Sequence, residues 1–284
     1  MNSFEDIIAL LPIQEASFWY NCETNCRVLI CLLGTFCVFR AGYLTQLVCG
    51  SKTEKLLCLL ALHHRHGLRR ETVLEALWPD GDSAHACQSL HSLIHSVNKL
   101  LGDEQGDAPA VVQANGVYWL NSAAGINVDV TCFEALVDTG NQRAHAGDTA
   151  EAVTFYNRAL ALYRGDLCVA TDAQVVVERE HLRGRFLSML AHLARLDYAR
   201  GDYTNCLSHT MRLLAYDPCR EDAYRLIMRC YVRMGERAQA LRQYRLCETI
   251  LRSEFGAVPE PATTDLFDCI RLNPANMETA LLPQ

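Results

Sequence analysis

The spacing of apolar residues changes character along the chain. Over residues 27–49 they fall in short dense runs, Arg27–Leu33 and Thr35–Phe39, punctuated by Gly34 and Gly42. Runs rich in Val, Ile, Leu and Phe between glycines predict strands. From Ser51 the period turns helical. Ser51 with Glu54 three residues on has the spacing of a capping box, Leu56, Leu57, Leu59, Leu60 and Leu62 follow, and Gly67 is expected to end this helix. A second, short helix over Glu71–Leu77 should stop at the turn Trp78-Pro79-Asp80-Gly81. A third should start from Asp82 or Ser83, run to about Leu101 and close at Gly102. Its apolar positions Leu90, Leu93, Ile94, Val97 and Leu101 form one face. At about 100° per residue the opposite face carries Gln88, His91, Ser92, His95 and Lys99.

Beyond a polar loop, Val111–Gln113 and Val117–Leu120 flank Ala114-Asn115-Gly116. Asn-Gly between alternating apolar residues is the strongest short-range hairpin signal. Strands, three helices and a hairpin, in that order, make a winged helix-turn-helix with an N-terminal sheet. From Val128 onward the pattern reads as helix throughout, with an internal repeat. Gly147-Asp148 with Ala152-Val153, Gly201-Asp202 with Cys206-Leu207, and Gly235-Glu236 with Ala240-Leu241 share one arrangement. The last two glycines lie 34 residues apart, the tetratricopeptide period, and Tyr156 and Tyr244 sit nine residues after theirs. Gly permits a tight turn between paired helices, the acid favours the next helix N-terminus, and small residues let helices approach. The first spacing is 54, so a longer connection that includes Tyr163–Leu167 separates the first repeat from the second. The expected fold is therefore an α+β winged helix-turn-helix domain followed by an all-α, tetratricopeptide-like helical-repeat domain.

Composition narrows the function. The formal net charge is −7, which argues against non-specific nucleic-acid binding through bulk charge. Its distribution is uneven: residues 1–25 carry four acids and no Lys or Arg, 26–125 carry eight of each sign, and 126–284 carry 18 basic against 21 acidic residues. The least acidic stretch also holds six of the ten histidines. The 14 cysteines form no CxxC pair and mostly sit at apolar positions, which reads as reduced thiols acting as small hydrophobes, with a disulfide or zinc framework as the alternative. The acidic start is not that of a secretory signal, and no apolar run has the length of a membrane span, so a cytoplasmic protein is expected. Residues 1–25 read as a leader of unreadable role, with a helical turn over Ile7–Leu11 before Pro12, and 274–284 as a tail.

The two halves together resemble one family. Gly34 with its flanking strands, Glu75–Asp80, the helix end Leu100-Leu101-Gly102 and the closing Gly116–Leu120 are similar to the OmpR-type winged helix of Streptomyces antibiotic regulatory proteins. Val128–Glu134 resembles the opening of their bacterial transcriptional activation domain, as do Ala161–Leu167, Asp217–Arg225 and Gln243-Tyr244 further on. The resemblance spans about residues 27–272 and implies a leader (1–25), a winged-helix DNA-binding domain (26–125), an activation domain (126–273) and a tail (274–284). It also implies a sequence-specific transcriptional regulator, an activator, whose partners are double-stranded promoter DNA, RNA polymerase and a second copy of itself, with nucleoid association when bound to DNA. One departure stands out. Family recognition helices end in an Arg-rich string, whereas here the place reads Ser96-Val97-Asn98-Lys99-Leu100, leaving one permanent cation on the polar face. Fewer phosphate contacts weaken binding and flatten its salt dependence. An interaction scaffold whose winged helix no longer binds DNA is the competing reading.

In that frame Gln88, His91, Ser92 and His95 can hydrogen-bond base edges, and Lys99 can reach guanine or a phosphate. The alternative is an ordinary solvated helix face. Lys52 and Lys55 at the first helix, and Arg69 and Arg70 before the second, are candidate phosphate clamps, and Gln113 with Asn115 could carry the hairpin into the minor groove. Cys87, His91 and His95 have zinc-compatible spacing, but Cys87 leans to the apolar side and no fourth ligand is apparent, so no metal is expected. Neither a cofactor nor catalysis is expected: GxSxG, HExxH and GxGxxG are missing, and Gly50-Ser51-Lys52-Thr53 suits a helix cap better than a phosphate loop.

Overall fold

Strand β1 (Val28–Cys31) is buried along its whole length and lies inside a four-stranded sheet. It pairs antiparallel with β2 (Cys37–Arg40), which pairs with β3 (Tyr43–Thr45). The computed structural model describes residues 26–41, 43–79, 83–102, 108–168 and 173–272. The expectations placed on residues 1–25, on Gly42, on Asp80–Asp82 and on 274–284 lie outside these. The chain divides into two units, one ending at Leu136 and joined by Arg158–Arg179, the other made of Val137–Asn157 and Glu180 onward.

In the first unit, α1 (Lys52–Leu62) buries Leu56, Leu57, Leu60 and Ala61. Ser51 caps it, its hydroxyl accepting the Glu54 N–H at 3.2 Å. The return half of the expected capping box is shifted by one residue, since the Glu54 carboxylate accepts from the Gly50 N–H at 2.6 Å while the Ser51 N–H goes to the Val48 carbonyl. The helix ends at Leu62, four residues short of the expected stop. Gly67, with φ +66°, closes the turn that follows and leads into β4 (Leu68–Arg69). That two-residue strand is too short to show an apolar period, and it pairs with the hairpin. Helix α2 (Arg70–Leu77) buries Val73 and Leu77. Helix α3 (Ser83–Leu101) buries Ala86, Leu90, Val97 and Leu101, with Leu93 and Ile94 half-buried. The helix ends at Leu101, and the Gly102 N–H bonds the Asn98 carbonyl at 2.7 Å.

The hairpin forms at the expected place. β5 (Val111–Ala114) and β6 (Val117–Leu120) pair with Ala114 opposite Val117, and Asn115 and Gly116 both have positive φ (+51° and +76°). These signs define the two-residue turn whose twist matches that of the strands. The three-stranded order is β4-β6-β5. Val128 corrects the all-helical reading that starts there: it ends a strand, β7 (Ile126–Val128), running parallel to β1. So does Leu167, which bridges antiparallel to Leu33. The strap Tyr163–Cys168 is tied along the β1–β2 turn by Gly34 N–H to Asp166 O (3.0 Å) and Cys168 N–H to Leu32 O (2.9 Å).

Helices α4 (Asp129–His145), α5 (Thr149–Leu162), α6 (Ala173–Ala199), α7 (Tyr203–Tyr216), α8 (Glu221–Arg233), α9 (Arg237–Phe255) and α10 (Pro261–Leu272) complete the described chain. The three repeat glycines, Gly147, Gly201 and Gly235, all take the left-handed conformation (φ +83°, +79° and +78°) at turns between paired helices. Asp202 caps α7 through its carboxylate, whereas Glu236 makes no side-chain cap bond. The second unit's core is a chain of small clusters. Ala194, Tyr198, Cys206, Leu207, Ile227 and Cys230 join α6, α7 and α8, and Met228, Val232, Ala240, Leu266 and Ile270 join α8, α9 and α10. Among α7 to α10, each helix packs mainly on its sequence neighbours, as in tetratricopeptide-like repeats.

Candidate nucleic-acid interface

The polar face of α3 is open. Gln88, His91, Ser92, His95 and Lys99 are all exposed, on the side opposite buried Leu90 and Val97. The Ser92 hydroxyl bonds back to the Gln88 carbonyl at 3.2 Å, and Ser96 to that of Ser92 at 2.9 Å, so both serines are turned onto their own helix. Cys87 is half-buried, as its lean toward the apolar side implies. No metal-ligating cluster of His, Cys, Asp or Glu occurs among the described residues.

What fixes α3 is a pair of contacts that its own sequence does not announce. Arg40, at the end of β2, donates to the Leu100 carbonyl at 3.3 Å and to the Gly102 carbonyl at 2.9 Å. A guanidinium there satisfies carbonyls left without helical partners and complements the negative end of the helix dipole. One turn earlier, the Asn98 side chain accepts the Val111 N–H at 2.7 Å, fastening the first hairpin strand to α3. Asn98 thus occupies, in the family's Arg-rich stretch, a structural position between helix and hairpin.

The other candidates sit around this core. Gln113 and Asn115 are exposed on the hairpin. Arg69 is exposed in β4 opposite Val117, and the Arg70 N–H bonds the Gly116 carbonyl at 2.8 Å, so both arginines border the hairpin turn. Lys55 is exposed on α1. Lys52 is also exposed, but its ammonium lies 4.2 Å from the centroid of the Trp78 ring, a cation–π contact that competes with phosphate for the same charge.

Sequence reasoning did not single out the centre of the first unit. The Asp129 carboxylate is fully buried at the start of α4 and accepts the Leu32 and Leu33 N–H groups at 2.8 and 2.9 Å. Burial pushes this carboxyl up to about 6, against the pull of those two donors. Beside it, Cys31 and Cys37 stand opposite each other on β1 and β2. A hydrogen bond from the Cys31 thiol, and then the Arg164 guanidinium 3.5 Å away, bring the Cys37 thiol down to about 7. The only signal in the sequence was the Val128–Glu134 string, whose role is not local.

The bacterial transcriptional activator domain model matches residues 128–271, just over half of the chain. The chain belongs to the bacterial transcriptional activator domain family. Among curated relatives, the regulatory protein AfsR of Streptomyces coelicolor is 25% identical over 237 residues, 83% of this chain and 23% of AfsR. The regulatory protein DnrI of Streptomyces peucetius is 26% identical over 215 residues, 73% of this chain and 79% of DnrI. The chain therefore spans about a quarter of AfsR but most of DnrI. Among solved structures, Mycobacterium tuberculosis EmbR, determined with a low affinity phosphopeptide, superposes with a TM-score of 0.67 at 22% identity over 90% of this chain and 68% of that one. That likeness establishes the fold. The resemblance to Streptomyces antibiotic regulatory proteins drawn from the sequence thus leads to the family that the domain model identifies. Among the described residues, no helix of this activator-domain protein is long and apolar enough to cross a membrane.

Proposed function

We propose that the chain is a DNA-binding transcriptional regulator, an activator, whose first unit is an OmpR-type winged helix. In this reading α3 enters the major groove of promoter DNA with Gln88, His91, Ser92, His95 and Lys99 toward the bases and backbone. The Asn115-Gly116 turn reaches the minor groove with Gln113, and Lys55, Arg69 and Arg70 hold phosphates. The helical repeats serve dimerisation, regulation and contact with RNA polymerase. The protein acts without a cofactor or catalysis, in the cytoplasm, and is nucleoid-associated when bound to DNA.

The observation that carries this reading is the exposed polar side of α3, on a helix whose apolar side is buried and whose end is held by Arg40 and Asn98. Rigidly held elements make the most accurate recognition surfaces. Lys99→Ala and His95→Ala should each weaken operator binding. Lys99→Ala should also lower the slope of log affinity against log salt by roughly 0.9, the contribution of one phosphate. Footprinting on the DNA upstream of the gene measures both, and unchanged affinity in both variants removes α3 as the reading helix.

A second reading, a protein-interaction scaffold, is favoured by two features: Lys99 is the sole permanent cation on the exposed face of α3, and Lys52 is engaged by Trp78. Gel shifts at low and moderate salt separate the two. Retention of a partner with no DNA binding at any salt selects the scaffold.

A further inference from the structure

The second unit contains a cavity of about 120 Å³ between α6, α7 and α8. Its polar lining comprises Arg195, Tyr198, Thr210, Asp222, Arg225 and Arg229. Three guanidinium groups around one small space repel each other unless each is answered by an anion. Two of the charges at this rim are answered. Arg225 donates to Glu260 at 3.1 Å and to the Thr263 hydroxyl at 2.8 Å. Asp222, the lone carboxylate of the lining, has both oxygens engaged by Arg220, at 3.0 and 2.7 Å. Arg195 and Arg229 have no hydrogen bond or ion pair among the described residues. The Arg229 Nε is also buried without a partner. Burial, and the nearby Arg225 charge, act against the Arg229 cation.

A desolvated guanidinium nitrogen with nothing to donate to is costly, and a native structure retains such a group where something else completes it. We propose that this cavity is a binding site for a small oxyanionic group, carboxylate or phosphoryl, borne by a small molecule, with Arg229 and Arg195 as its ligands. The planar fork of arginine is matched to two oxygens of one such group. Size limits the occupant. The space is well below the roughly 300–1,000 Å³ of pockets that enclose drug-sized ligands, so it takes the anionic head of a metabolite rather than a whole nucleotide cofactor. The site joins three helices from successive repeats, so an occupant bridges elements that also pack through the Ala194–Cys230 cluster and the His209–Asp197 hydrogen bond. Binding there stiffens the repeat stack, which suits an effector. The proposal is independent of DNA recognition by the first unit.

The test uses the full chain, with inorganic phosphate and acetate as probes at an ionic strength held constant with chloride, followed by calorimetric titration and thermal unfolding. At least one probe should bind saturably at one site. Arg229→Met and Arg195→Ala should each weaken that binding roughly tenfold or more, the size of one lost charge-assisted hydrogen bond. Which probe binds tells a phosphoryl head from a carboxylate. Arg229→Met should keep or raise the melting temperature without ligand, because an apolar chain of similar length replaces an unanswered cation. The proposal is overturned if neither probe binds beyond chloride, or if both variants bind as the wild type does. It is equally overturned if Arg229→Met folds but lowers the ligand-free melting temperature, which would make Arg229 a structural residue. If that variant does not fold, Arg195→Ala, on an exposed position, decides: binding like that of the wild type overturns the proposal.

Discussion

The Asn98 carboxamide oxygen accepts the Val111 backbone N–H at 2.7 Å, so the helix that carries the polar face and the first strand of the hairpin are fastened through one side chain. Val111 is buried, and its N–H has no water to turn to when that oxygen is removed. Asn98→Ala should destabilise the protein by about 1–3 kcal/mol, the cost of an unsatisfied buried donor. Asn98→Asp, which retains an acceptor, should lose less. Urea unfolding of both variants measures the difference. Replacing Asn98 with the arginine of the family's string should likewise cost stability, because the acceptor is gone.

Arg40 supports the same end of this helix from strand β2. Arg40→Ala leaves the Leu100 and Gly102 carbonyls without their charged donor. A loss of about 1–2 kcal/mol is expected, as for other hydrogen bonds to charged groups at a partly exposed site. Hydrogen exchange should show the last turn of α3 opening more readily, with the repeats unchanged.

Asp129 gives stability an unusual pH dependence. Its carboxyl titrates at about 6 in the folded chain, against the ordinary 3.8, because burial disfavours the ionised form. The folded state therefore binds more protons between the two values, and this contribution is full below about pH 4 and is lost as pH rises through about 6. The shift corresponds to roughly 3 kcal/mol over that window. The stability of the wild type relative to Asp129→Asn should fall accordingly from pH 4 to pH 6, as read by denaturant unfolding at each pH. Above about pH 6 Asp129→Asn should lose one of the two backbone bonds, since its amide nitrogen faces the Leu33 or Leu32 donor that a carboxylate oxygen accepts there. A relative stability that rises over this window would refute the assignment.

Cys37 should react with iodoacetamide at neutral pH faster than Cys31, Cys58 and Cys168. Its reaction rate should climb through a midpoint near 7, because Cys31 donates to its sulfur and Arg164 stands beside it. Burial holds Cys31, Cys58 and Cys168 higher. Arg164→Ala should move the midpoint upward. Peptide mapping of the alkylated protein reads every site at once.

The sequence by itself determined what is periodic or local. The amphipathic pattern of Ser83–Leu101 specified a helix with one buried and one open side, and Asn115-Gly116 specified the hairpin, because a two-residue turn with both φ positive admits few other residues. The repeat glycines were legible for the same reason. The tertiary structure alone decided which distant groups meet. Arg40 and Gly102 are 62 residues apart, and Asp129 and Leu33 are 96 apart. Strand β7 beside β1, the strap at Leu33 and Leu167, and the arginine-lined cavity are likewise encounters between segments. A side chain that satisfies an unpaired backbone group far along the chain leaves no spacing to read. Its partner exists only once the elements between them have folded and excluded water from both.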